Sequence, residues 1–405
     1  MALLRTVTFG MAPQSYDAAR TAQRVRAFFG ALQEQLADTG WQTRCQRYVS
    51  TPLGTQGSQW SVPDFVHFGV SLEQELGDDI WCCLPGPGYQ VVDYAGFDAV
   101  QEMLKQTQHV FSNVKVGGPA GLNNLAVNAA ADIMLGLAQR KDSQQANFRF
   151  AAMANTAAGI PFFPAAYHED EPAFSIALEL AEDFNRCCAE HGDMHARLQA
   201  CRAVLRERVG SVLPLAQAFA EQHGVRFAGF DLSLAPFPGE GSSAVSVIER
   251  LSGCSIGQVD FLFSLFAVND MLKHATPGIP RVGFNGTMLS VLEDNRLAEA
   301  VRNKEVSITD LLLYSTVCGC GLDMIPVAHD VQSGQLASLI RAIATIAQKW
   351  NKPLIARILP SHVDAHGQTD YAHDFLVNTS VMPLDDVGAS AADPVPYFTS
   401  EACTA

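Results

Sequence analysis

Residues 311–326 read LLLYSTVCGCGLDMIP, an apolar run that stops at two cysteines separated by one glycine, with Asp323 three residues beyond the second. Cys318-Gly319-Cys320 could be a metal clip, a redox pair, a nucleophile, or two small residues in a crowded core. A zinc or iron–sulfur centre normally needs four soft ligands, usually as Cys-x-x-Cys pairs. The remaining cysteines, at 45, 82, 83, 187, 188, 201, 254 and 403, offer only adjacent pairs, so a structural metal centre is disfavoured. A Cys-x-Cys disulfide is strained. A nucleophilic thiolate fits the context better, because a glycine-rich turn at a strand end exposes backbone N–H groups to an anion. The plain alternative is packing, since free cysteine is commonly buried.

Four other polar clusters could do chemistry. PFFPAAYHEDEPAF, 161–174, holds His168 and three acids before Pro172; the acids suit a helix N-terminus, where negative charge is favourable. FDLSLAPFPGEGSS, 230–243, runs from Asp231 into a loop where Gly239 and Gly241 flank Glu240. Asp231 and Glu240 could share a divalent cation or supply acid/base chemistry, or simply cap a turn. In RVGFNGTMLSVLEDNRLAEA, 281–300, Asn285 lies between Gly283 and Gly286, Asp294 reads as a helix N-cap, and Glu293 remains a functional candidate. Finally, Arg357 sits among Leu354, Ile355, Ile358 and Leu359. A buried guanidinium needs a carboxylate or an anionic ligand, so Arg357 either locks an ion pair or holds substrate.

Positioning these clusters requires a scaffold, and the chain alternates strand-like and helical patterns. LRTVTFGM, WQTRCQRYV, DIWCCLP, VFSNVKVG and NFRFAAMA are separated by helical segments at 16–38, 92–107 and 123–139. Two long helical segments are predicted at 172–190 and 193–223. The alternation then resumes through VRFAGFDLSL, helices at 243–252 and 257–275, RVGFNGTMLSV, a helix at 294–303, LLLYSTVCG, a helix at 335–349 and KPLIARILP. Repeated β-then-α order marks an α/β sheet or barrel with helices outside, whose sites usually lie at the carboxyl ends of strands. No linker divides the chain, which predicts one domain over 1–382 and a loosely ordered tail over 383–405.

Among 405 residues, 48% are hydrophobic and 17% charged, which suits a globular protein. A formal charge of −15 argues against nucleic acid and anionic membrane surfaces as partners, while leaving room for a local basic pocket. The longest apolar runs fall far short of the ~18 residues needed to cross a bilayer. A cytoplasmic location with reduced thiols is the expectation. No GxGxxG follows the first strand, so no nicotinamide or flavin is expected.

Taken in order, RTVTFGM, WQTRCQRY, NFRFAAMANTAAGIPFFPAAYHEDEPAFSIALELAEDF, FAGFDLSLAPFPGEG, NGTMLSVLED, DLLLYSTVCGCGLDMIPV and KPLIARILP resemble the successive blocks of the domain of unknown function 711 family. That family is grouped by fold with pyruvate formate-lyase and other glycyl radical enzymes. The resemblance implies a ten-stranded α/β barrel whose centre, in the radical relatives, receives a cysteine loop. It matches Cys318 to the family's cysteine and treats Cys320 as a local departure. It also marks His168, Asp231, Glu240, Glu293, Asp323 and Arg357, and leaves the acids 169–171 in a variable stretch. A radical enzyme needs an Arg-Val-x-Gly-aromatic loop near its C-terminus. Arg281-Val282-Gly283-Phe284 lacks the spacer and lies mid-chain, so radical chemistry is disfavoured.

The expected function is a non-radical barrel enzyme of lyase, hydrolase, cyclase or isomerase type acting on a small carboxylate-bearing molecule. Cys318, His168 and Glu240 are the catalytic candidates, and Arg357, Asn285 and Asp323 the substrate-binding ones. Two alternatives stand beside it: a Mg²⁺ or Ca²⁺ enzyme using Asp231, Glu240 and Glu293 with Cys318 merely packed, and a small-molecule sensor without turnover. Self-association as a homo-oligomer is left open.

Overall fold

The computed structural model describes residues 2–13, 16–52, 61–87, 95–118, 121–139, 146–169, 171–190, 192–385 and 387–388. In the first half, β1 (Ala2–Gly10), β2 (Trp41–Val49), β3 (Ile80–Cys83), β4 (Val110–Gly118) and β6 (Phe150–Ala154) alternate with α1 (Ala18–Leu36), α2 (Val62–Leu76), α3 (Ala95–Gln106) and α4 (Asn124–Ala138); the two-residue β5 (Gly121–Leu122) pairs only with β4. Each helix is amphipathic. In α1, for example, Ala22, Val25, Phe29, Leu32 and Leu36 are buried, and Asp17 caps the start by accepting from the Arg20 N–H.

In the second half, β7 (Ala173–Leu178), β8 (Arg226–Asp231), β9 (Gly321–Val327) and β10 (Leu354–Pro360) are joined through α5 (Ala181–Glu190), α6 (Met194–His223), α7 (Ala244–Ser252), α8 (Val259–His274), α9 (Asn295–Arg302), α10 (Ile308–Tyr314) and α11 (Ser333–Lys349). The strand order is β8-β7-β1-β2-β3-β4-β6-β10-β9. β1, β2, β3, β4 and β6 run parallel to one another. β7 and β10 run antiparallel to that set, and their outer neighbours β8 and β9 follow them in parallel. The sheet is therefore a five-stranded parallel block flanked, across two antiparallel seams, by the parallel pairs β7–β8 and β9–β10. Strands β6, β7, β9 and β10 are buried along their full length, as expected when helices cover one face and a filled interior the other.

The expected α/β architecture with ten strands and outer helices is present, but the regular sheet does not close. β8 and β9 are its edges. Residues 281–291 run between them and are tied to each side by parallel bridges, Phe230↔Arg281 and Leu234↔Thr287 on one side and Ser290↔Asp323 on the other. This segment is not a strand because Gly283 and Asn285 adopt φ of 81° and 51°, which breaks the two-residue period. The backbone of Gly286 also touches that of Gly319. A Cβ on either would lie 2.7 Å from the other's backbone.

Two sequence expectations are corrected. Residues 172–190 are not one helix: AFSIAL forms β7, pairing with β1 and β8, before α5 begins. A short apolar run fits either period, and the partner strands decide. The acids 169 and 171 therefore precede a strand, and Asp170 lies outside the described residues. LLLYSTVCG is not a strand, since Ser307 and Asp310 form a capping box that starts α10. Of the predicted tail, 389–405 lie outside the described residues, while the Val387 and Gly388 carbonyls accept hydrogen bonds from Gln335 and Ser338 of α11. Among the described residues, no helix is long and apolar enough to cross a membrane.

The glycine contact is testable by unfolding in urea. Gly319→Ala should cost about 1–3 kcal/mol because the added methyl must push apart two backbones. Gly30→Ala, in α1 with open space around it, should instead stabilise by about 0.5–1 kcal/mol. Equal stability of the two variants would show that the close approach does not exist.

Candidate functional site

Segment 160–168, rather than the cysteine turn, fills the centre of the ring. Its residues are buried throughout, so its backbone carbonyls need donors from the strands. Thr8 and Arg47 donate to the Pro161 carbonyl at 2.9 and 3.2 Å, and the Asn113 amide donates to the Pro164 and Ala166 carbonyls at 2.6 and 2.8 Å. Between this plug and the walls lie two adjoining lobes of a cavity, about 30 and 40 Å³, which share Arg5, Arg47, Phe163, Glu293 and Arg357. Such volumes hold a few waters. The larger lobe is also lined by Cys320, Asp323, Phe284 and Met288. The smaller is lined by aromatic residues, with Phe237 and Phe375 edge-to-face, 5.3 Å between ring centres, next to Trp81.

Because the five-stranded block and the flanking pairs run in opposite directions, no single carboxyl-end face exists. The polar groups meet in the middle instead. A register shift where β9 pairs β10 sets both Asp323 and Met324 opposite Arg357, with φ of 55° at Met324. Arg357 Nε and Nη2 donate to the two Asp323 oxygens at 2.6 and 3.0 Å, and Nη2 also donates to Glu293 at 3.1 Å. Burial works against the Arg357 charge, but these two carboxylates outweigh it and hold the guanidinium above its ordinary value. Burial lifts the Asp323 carboxyl above the usual carboxylate range against the pull of Arg357. Of the two readings of Arg357, the ion pair holds here: its fork is filled by protein carboxylates.

The cysteine turn delivers its sulfurs to different places. Cys318 packs with the main core between the sheet and its helices, whereas Cys320 belongs to the interior cluster with Phe284, Met288 and Tyr167. A hydrogen bond from Cys320 lowers the Cys318 thiol to about 6, against the effect of burial and with help from Lys352 and the N–H groups of Gly321 and Cys320. The same hydrogen bond, together with burial, pushes Cys320 far up. The pair therefore titrates as a unit that loses one proton near neutral pH. Lys352 Nζ also donates to the Cys318 carbonyl at 2.8 Å.

The other candidates lie elsewhere. Asp231, fully buried, accepts from Ser233 N and Oγ, Phe284 N and Asn285 N at 2.6–3.0 Å. Asn285 accepts from the Leu232 N–H and donates to the Val282 carbonyl. Both clasp the closing segment onto β8. Glu240 is exposed on its loop. His168 is buried against Gly10, with its backbone N–H on the Ser50 carbonyl, and does not line the cavity. The set Asp231, Glu240 and Glu293 does not converge, and among the described residues no three His, Cys, Asp or Glu side chains are placed to hold a metal ion. The physical reason is that Asp231 is saturated by four donors and Glu293 is drawn to Arg357. Asp294 is the N-cap expected, and it also accepts from the N–H groups of Ala244 and Val245 at the start of α7.

Sequence reading passed over Arg47 and the cavity-facing role of Cys320. Arg47 stands in WQTRCQRYV as Arg357 stands in KPLIARILP, a guanidinium inside an apolar strand. The argument applied to Arg357 would have found it.

Fold and interior together define a single α/β ring protein whose plugged centre is lined by Cys320 and a cluster of arginines. The chain belongs to the family described as Uncharacterised ACR (DUF711), whose model matches residues 2–371, as the motifs indicated. It is 27% identical over 365 residues to a UPF0210 protein of Leuconostoc citreum, covering 86% of this chain and 80% of that protein. A UPF0210 protein of Campylobacter concisus is 27% identical over 333 residues, covering 78% and 74%. Among solved structures, the anaerobic ribonucleotide reductase from Thermotoga maritima in complex with dATP and CTP matches 87% of this chain and 75% of that chain, with 9% identity and a TM-score of 0.41.

Two outcomes follow from this geometry. Asp323→Ala should cost about 3–5 kcal/mol by leaving Arg357 short of a buried partner, whereas Asp323→Leu with Arg357→Met should cost less than Asp323→Ala alone. Denaturant midpoints of the variants decide this. Because folded Cys318 ionises at about 6 instead of 9, the unfolded chain binds more protons between those values. The resulting stability is complete above pH 9 and is lost as pH falls through about 6. Cys318→Ser should flatten that part of the stability–pH curve, and an unchanged slope would refute the lowered thiol.

Proposed function

We propose that the protein is an enzyme that takes a small, polar, carboxylate-bearing molecule into the interior cavity and cleaves or rearranges it with the Cys318–Cys320 pair. The observation that carries this reading is the position of Cys320. Its residue lines the lobe that also exposes Glu293, Asp323 and Arg357, and it helps to lower the Cys318 thiol two residues away. A thiolate is a strong nucleophile and an adequate base when its proton is lost near neutral pH. Lys352 and the N–H groups of Gly321 and Cys320 favour the Cys318 thiolate, which would take the Cys320 proton as Cys320 attacks an electrophilic carbon. Glu293, only partly buried and hydrogen-bonded to Arg357, is the group best suited to move a second proton. The size of the lobes favours a substrate of few heavy atoms. Lyase, hydrolase, cyclase and isomerase chemistry are compatible with this set. A pair that must stay reduced to work is consistent with a cytoplasmic enzyme.

Native mass spectrometry of the purified protein should find a retained small acid. Its turnover should fall by about 10²–10⁴ in Cys320→Ser and in Cys318→Ser, with circular dichroism unchanged. Full turnover in both variants would eliminate the thiol mechanism, and a retained molecule that is bound without turnover would favour a sensor.

A further inference from the structure

Of the arginines around the cavity, three have carboxylates. Arg357 is held by Asp323 and Glu293, and Arg5 and Arg44 share Glu179 at 3.2 and 3.4 Å. Arg47, on β2, is different. It is only 9% exposed, and among the described residues no carboxylate stands within ion-pair distance of it. Its Nη1 donates to the Pro161 carbonyl, the Cys45 thiol is within hydrogen-bonding reach, and the guanidinium lies 5.0 Å from the Phe163 ring centre. Its Nε is buried and has no partner. Arg47 lines both lobes of the cavity.

An unpaired buried cation is costly, and a donor without an acceptor adds to the cost. With Nη1 turned to Pro161, the edge left over is the one formed by Nε and Nη2. Arg357 uses that same edge to hold the two oxygens of Asp323 side-on. A carboxylate is the group that matches such a fork. We infer that Arg47 is the anchor for the ligand's carboxylate, gripping it by the Nε–Nη2 edge inside the cavity and turning the rest of the molecule toward Cys320. This rests on the reading of the cavity as the substrate site, and assigns its specificity for an acid to Arg47 in place of Arg357. Burial, with repulsion from Arg5, works against the charge of Arg47, and Cys45 and Glu293 offset this only in part, so an incoming anion relieves a cost already present.

The test uses acetate, its neutral isostere acetamide, and inorganic phosphate, each titrated into the full-length protein by calorimetry and by thermal unfolding. Acetate should bind and raise the melting temperature; acetamide should do neither. Arg47→Gln should lose acetate binding by at least about tenfold and, without ligand, melt no lower than the native protein, because an unpaired buried charge has been removed. Arg47→Lys, which keeps the charge and loses the fork, should also bind at least several-fold more weakly. Acetate binding retained within twofold in Arg47→Gln, equal binding of acetamide, binding of phosphate but not acetate, or no acetate binding at all would each overturn the assignment. Turnover in Cys320→Ser is scored separately: if it persists while Arg47→Gln abolishes binding, the thiol reading fails and the anchor stands.

Discussion

A ring of strands with one regular strand missing must still satisfy the backbone groups along the gap, and here a single carboxylate does much of that. Asp231 accepts from two backbone N–H groups of the closing segment and from Ser233, at the end of β8. Without those acceptors, the turn at 283–285 would leave buried donors unpaired, at about 1–3 kcal/mol each. Burial raises the Asp231 carboxyl, and the four hydrogen bonds oppose that shift. The closing segment leads on to Glu293, and its backbone rests against the cysteine turn. Both the charge centre and the thiol pair therefore take their places from this clasp.

Electrostatics inside the ring run opposite to those outside. The whole chain is strongly acidic, yet four guanidinium groups around the cavity face three carboxylates. Aromatic faces cover several of these cations, with Arg44 4.3 Å from the Phe237 ring centre and Arg357 5.6 Å from that of Phe148. A small positive excess in a buried, aromatic enclosure attracts anions more strongly than the same excess at an exposed surface. The acidic exterior works against slow nonspecific capture of other polyanions.

Much of the scaffold was legible because helices with a clear apolar stripe announce themselves; α4, α7, α8, α9 and α11 lie where periodicity put them. The family, too, was readable from ordered motifs. What stayed hidden depends on long-range pairing. AFSIAL has no local reason to prefer a strand until β1 and β8 flank it. Segment 160–168 reads as the approach to a helix until Arg47, Thr8 and Asn113 satisfy its carbonyls. The acids were legible as buried or turn-forming groups, but not their partners. Asp231 was spent on closure, while Asp323 reached Arg357 only through a bulge. Position within the block singled out Cys318, but the bend at 318–320 is what turns Cys320 toward the cavity while Cys318 packs in the main core.

The contact between Gly286 and Gly319 ties the history of the site to that of the frame. Neither position can gain a side chain unless the other backbone withdraws, and withdrawal would move the cysteines and the ring closure together. Changing the shape of the cavity is therefore easiest at the smaller lobe, through the aromatic residues of β3, β4 and the 237–238 loop, which do not touch this contact. The shape of the chamber and the closure of the frame thus depend on different residues.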